Sequence, residues 1–182
     1  MGILEGMQIR HGINILDRLS VSQFPQVEMV KIGAQLGGGM EHTVYAYGID
    51  QVLKVPRRIH HHPHTPEQKI ADFDTIKRHF PENTLESEII TSQDKLNYLL
   101  VQRRLRNFKN ITPQNMQEVR GQFLELIKIN QRLVSEEQIC LDFLGKEGIE
   151  KCAMSLVKGC KIAPEISNIV IERRNGTVGL VI

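Results

Sequence analysis

Between Gln26 and Pro56 the chain is written in short β-branched and aromatic runs broken by glycine. VEMVKIGAQL leads into Gly37-Gly38-Gly39, then Thr43-Val44-Tyr45-Ala46-Tyr47 follows, and Gly48-Ile49-Asp50-Gln51 separates it from Val52-Leu53-Lys54-Val55. Runs of this length and composition are strand formers. Both connections are short enough for antiparallel hairpins, so the region is expected to form a three-stranded meander.

Further along, Thr65-Pro66-Glu67 supplies an N-cap hydroxyl, a proline at the first helical position and an early acid, which predicts a helix over 66–79 that Pro81 stops. Strands are expected over 85–91 and 96–102, with the chain turning through Ser92-Gln93-Asp94-Lys95. After the basic stretch RRLRNFKN, Thr112-Pro113 opens a second and longer helix. Its apolar positions Met116, Val119, Phe123, Leu126, Ile127, Leu133 and Val134 recur at helical spacing. Gly145 and Gly148 punctuate a weaker helix over 147–157, and the last residues read as a hairpin with Asn175-Gly176 at its tip. The expected class is α+β, a β-rich first part followed by a helical second part. Residues 1–26 form an N-terminal extension, 27–106 a first region and 107–182 a second.

A chain of 182 residues with 41% hydrophobic content can bury a core of its own. Its net charge of +2 creates no global field that would draw nucleic acid or an anionic membrane. Cys140, Cys152 and Cys160 are odd in number and lack CxxC spacing, which suggests neither a disulfide framework nor a zinc site. No apolar run approaches the roughly 18 residues of a bilayer span, and the first residues lack a signal-peptide layout. Gly6 stands where a myristoylation signal carries Ser or Thr. A cytoplasmic protein without membrane attachment is the expectation.

Glycine lets backbone N–H groups approach a polyanion, because no Cβ intrudes and positive φ is allowed. Gly37 to Gly39 could therefore cradle phosphates, or could simply turn a hairpin. Lys54 bears on that choice. It is flanked by apolar residues in a strand, and an ammonium in such a place must reach solvent, a carboxylate or a ligand oxygen, since leaving it unpaired costs several kcal/mol. A phosphate under the glycine turn would satisfy it.

LGGGMEHTVY resembles the glycine-rich loop of the protein-kinase-like superfamily, which includes protein kinases and aminoglycoside-type phosphotransferases. Gly37, Gly39 and Val44 fall on G-x-G-x-x-G-x-V, and VLKV resembles the third-strand lysine motif. His42 stands at the third glycine. The element order resembles that of a kinase small lobe, and LLVQRRL its fifth strand entering the hinge. The resemblance implies a protein-kinase-like fold: an antiparallel small-lobe sheet with one helix over 27–106, then an incomplete helical large lobe over 107–182. It implies ATP with Mg²⁺ as cofactors. Gly37, Gly38, Gly39 and Val44 would lie over the nucleotide, Lys54 would pair with its phosphates as the catalytic lysine, and Gln102, Arg103 and Arg104 would meet adenine. Asn168, before a strand and NGTVGLVI, resembles the catalytic-loop asparagine and would be the metal ligand.

Two departures qualify the activity. The base aspartate of the pattern falls on Ala163, with Glu165 and Asp142 the nearest carboxylates, and the sequence stops at Ile182, where a metal-binding aspartate is expected next. The resemblance thus implies a nucleotide-binding domain of phosphotransferase type with impaired catalysis. The alternative is a non-catalytic, pseudokinase-type interaction module. A missing C-terminal segment or a partner protein is the expected companion of either.

Glu67 is the candidate partner of Lys54, although it sits in the first turn, where helix-dipole compensation is the simpler explanation, and Asp72 and Asp74 are mid-helix alternatives. His60, His61, His62 and His64 read as a solvated loop before a metal site. Arg103, Arg104, Arg106 and Lys109 read as a solvated face before an RNA contact.

Overall fold

The strand-forming runs of the first region pair as their turns require. In a computed structural model, residues 23–38, 42–57, 65–112, 114–137 and 166–181 are described. Strands β1 (Ile32–Gly38), β2 (His42–Tyr47) and β3 (Gln51–Pro56) form an antiparallel meander. Gly48, at φ 60°, takes the left-handed conformation in the β2–β3 turn that a side chain disfavours. Helix α1 (Pro66–His79) follows, then β4 (Ser87–Thr91) and β5 (Tyr98–Arg103), which complete a five-stranded sheet in the order β1-β2-β3-β5-β4. Helix α1 begins with a reciprocal cap. The Gln68 N–H donates to Thr65 Oγ1 at 3.2 Å, and the Thr65 N–H donates to Gln68 Oε1 at 2.9 Å.

The chain divides into two compact units, Met1–Asp74 with Glu86–Arg104, and Thr75–Leu85 with Leu105–Ile182. In the first, one face of the sheet is sealed by the segment that precedes it: Phe24 and Val27 pack with Tyr45, Tyr47, Leu53, Val55, Ile90, Leu99 and Val101. Phe24, placed by sequence in the N-terminal extension, is 1% exposed. Gln23 anchors that segment to the β4–β5 turn, donating from Nε2 to Asp94 Oδ2 at 2.9 Å and accepting from the Gln93 N–H, also at 2.9 Å. The turn is knitted internally, with Asp94 Oδ1 accepting from Ser92 Oγ and from the Leu96 N–H, and with Lys95 at φ 59°.

In the second unit β6 (Phe108–Ile111), β7 (Ile166–Arg174) and β8 (Thr177–Val181) form an antiparallel sheet in that order. The β7–β8 turn is Asn175-Gly176 at φ 50° and 78°, the positive pair that a two-residue hairpin needs. Helix α2 (Met116–Arg132) starts after Asn115, later than Thr112-Pro113 suggests, and runs into a π-helical turn over Leu133–Glu137. Its apolar stripe buries Met116, Val119, Phe123, Leu126 and Ile127 with Phe80, Ile111, Ile169, Ile171 and Leu180. Gln122 crosses to β8, accepting from the Leu180 N–H at 3.0 Å and donating to the Val178 carbonyl at 3.2 Å.

The architecture is α+β, as the sequence implies, with a second small sheet. Strand β6 is an addition, because its residues lie in the basic stretch read as an exposed face. The helix over 147–157, the histidines at 60–64, the three cysteines, Gly39, Asp142, Ala163 and Glu165 lie outside the described residues.

Candidate functional site

Side chains alternate along a strand, and residues directly opposed across an antiparallel pair project to the same face. Gly37 is opposed to Val44, Val44 to Lys54, Lys54 to Leu100, and Leu100 to Ile89, so these residues form one row across the sheet. The next row on the same face is Ala46, Val52, Gln102 and Ser87. The intervening residues Tyr45, Leu53 and Val101 face the other way, into the Phe24–Val27 seal. This alternation explains the apolar neighbours of Lys54. Leu53 and Val55 belong to the sealed face, whereas Lys54 stands half-buried on the opposite one.

The lysine face is largely apolar. Val52 and Leu100 are 8% and 3% exposed and stand outside the Phe24–Val27 cluster, and Val44 and Ala46 are half-buried. Polar groups interrupt it at defined places. At one end the amide of Gln102 donates from Nε2 to Ser87 Oγ at 2.8 Å. At the other, His42 Nε2 lies 3.3 Å from the Tyr98 hydroxyl, with the rings edge-on at 6.1 Å. The imidazole that replaces the pattern's third glycine is therefore held in place by a tyrosine of β5.

The two described glycines of the hairpin differ. A Cβ at Gly37 would meet nothing within 4 Å, whereas one at Gly38 would come 2.6 Å from Arg57 Nη2 and 3.1 Å from the His42 carbonyl. Gly38 is opposed to Thr43, and Arg57 Nε donates to Thr43 Oγ1 at 3.0 Å. Arg57 thus packs on the Thr43 side of the hairpin, away from the lysine face. The register of β1 slips between Gln35 and Gly37, two residues against the single step from Tyr45 to Val44. Leu36 is the extra residue of this bulge and is 45% exposed.

Of the residues assigned to an adenine contact, Gln102 is buried, and Arg103 and Arg104 are half-buried. The N–H groups of the two arginines are engaged within the protein, that of Arg103 with the Glu86 carbonyl at 3.1 Å and that of Arg104 with the Asp50 carbonyl at 2.7 Å. Glu67, Asp72 and Asp74 are all exposed on α1. Asn168 belongs to the second unit, on β7 between Ile166, opposed to Ile111, and Val170, opposed to Asn110. Among the described residues no group of three His, Cys, Asp or Glu side chains could hold a metal ion, and no helix is long and apolar enough to cross a membrane.

Sequence reasoning passed over Leu36, Tyr98 and the side-chain role of Gln102. The signal for the last two was present, because in LNYLLVQ the alternate positions 98, 100 and 102 share a face. Scans against family models, curated proteins and solved structures each gave no match.

Proposed function

We propose that this chain is a kinase-like nucleotide-binding domain, related to ATP-dependent phosphotransferases, and that ATP lies on the lysine face of the five-stranded sheet. The observation that carries the reading is the row Gly37–Val44–Lys54, in which an ammonium group sits two strands from an open glycine, on the face away from the Phe24–Val27 seal. Val44, Ala46, Val52 and Leu100 offer a base an apolar platform, and Lys54 offers its phosphates a cation. The strand order and the helix inserted between β3 and β4 support the same reading. Mg²⁺ would accompany the triphosphate. With Ala163 at the base position, binding is favoured over transfer, which leaves a pseudokinase-type interaction module as the second reading.

The test is the thermal stability of the full chain against ATP, with and without Mg²⁺. A ligand at about 100 times its dissociation constant stabilises by about 2.7 kcal/mol, or about 5–10 °C for a protein of this size. Lys54→Ala should remove that shift, while Lys95→Ala, in the β4–β5 turn, should keep it. Absence of any shift at millimolar ATP would leave the interaction module as the surviving reading.

A further inference from the structure

Gln102 is 6% exposed, and its Oε1 is buried and has no hydrogen-bond partner among the described residues, although its Nε2 donates to Ser87. A buried amide oxygen left unpaired is unfavourable in a fold whose other polar groups could have been arranged to meet it. This one lies on the lysine face, one row from Lys54, with Val52 directly opposed on β3 and Ala46 beyond it on β2. The backbone donors that follow, at Arg103 and Arg104, are already committed to Glu86 and Asp50. The group at this end of the platform that lacks a partner among the described residues is an acceptor, and an acceptor asks for a donor.

We infer that the Gln102 side-chain amide selects the nucleobase, its Oε1 accepting a hydrogen bond from an exocyclic amino group and so favouring a 6-aminopurine over a 6-oxo or unsubstituted purine. The inference rests on the nucleotide reading of the same face and adds a residue that chooses among nucleotides. A 6-oxo purine would set two acceptors against each other. An unsubstituted purine would leave Oε1 as unsatisfied as before. A side chain that reads a base by one buried hydrogen bond discriminates through the penalty of leaving that group unpaired, an effect of about tenfold or more in affinity.

The experiment is calorimetric titration of the full chain with three triphosphates that differ only at purine C6: ATP, inosine triphosphate and purine riboside triphosphate. The expected result is binding of ATP about tenfold tighter than of the other two. In Gln102→Met, close in volume and lacking the amide, the differences should shrink to within about twofold. Equal binding of all three by the unaltered chain would overturn the inference and leave the nucleotide reading standing. So would tighter binding of the 6-oxo base, which requires the amide to present its NH₂ instead. Discrimination that survives Gln102→Met would also overturn it. If none of the three binds, the nucleotide reading falls with it. The unaltered chain decides the matter should the variant fail to fold.

Discussion

Val44 and Lys54 are direct partners across β2 and β3, and Val44 is in turn opposed to Gly37 on β1. Three residues from separate stretches of chain therefore lie in one line on one face of a sheet whose other face is closed by Phe24 and Val27. On the proposed nucleotide reading, a valine and a lysine so placed would give a flat ligand an apolar wall beside a cation. A charge-assisted hydrogen bond from the ammonium to a phosphate contributes about 1.5–3 kcal/mol. Lys54→Met should accordingly weaken triphosphate binding by about 10- to 100-fold while leaving nucleoside binding nearly unchanged, as read by titration with ATP and adenosine.

Gly37, Gly38 and Gly48, three of the described glycines around β2, should respond differently to alanine. Gly37→Ala meets open space and an ordinary backbone, so thermal stability should hold or rise by up to about 1 kcal/mol. Gly38→Ala drives a methyl group toward Arg57 and the His42 carbonyl and should lower stability. Gly48→Ala forces a side chain into the left-handed region at φ 60° and should cost about 1–2 kcal/mol. Chemical denaturation ranks the three. A Gly37→Ala variant that folds well and binds ATP poorly would assign that glycine to the ligand.

Removing the seal should be the largest of these changes. Phe24 is 1% exposed among nine clustered core residues, and a buried phenylalanine cut back to alanine costs about 3–5 kcal/mol. Phe24→Ala should shift the urea midpoint strongly downward. An unchanged midpoint would mean that residues 23–27 are not part of the stable sheet.

Acid should loosen the β4–β5 turn first. The Ser92 hydroxyl, and then the Leu96 N–H, hold the Asp94 carboxyl below its ordinary value. A depressed folded pKa stabilises above the ordinary aspartate value and loses that contribution as pH falls through the lowered one. Asp94→Asn should therefore flatten the stability profile below about pH 4 and leave it parallel to the unaltered chain near neutrality. At the alkaline end Lys31, raised chiefly by its hydrogen bond to Glu28 at 2.6 Å, follows the opposite sign, its contribution present below the ordinary lysine value and lost above the raised one. Thermal melts across pH read both.

Local chemistry made much of this fold legible. The proline and capping residues of 65–68, the glycine turn at 48 and the Asn175-Gly176 tip act over a few residues, and the elements they bound lie where the sequence places them. The apolar stripe of α2 likewise identifies its buried side before any partner is known. Strand β6 was illegible for the converse reason. Phe108 and Lys109 are exposed, only Ile111 is fully buried, and its ladder partner β7 lies far along the chain.

The sequence by itself determined that Lys54 sits in a strand between apolar neighbours and that glycines precede it by two short runs. Only the tertiary structure decided which face the lysine shares with Val44, Leu100 and Gln102. That choice depends on ladder register, on the bulge at Leu36 and on Phe24 claiming the opposite face, and these are long-range hydrogen bonds and packing that a window of neighbouring residues does not encode.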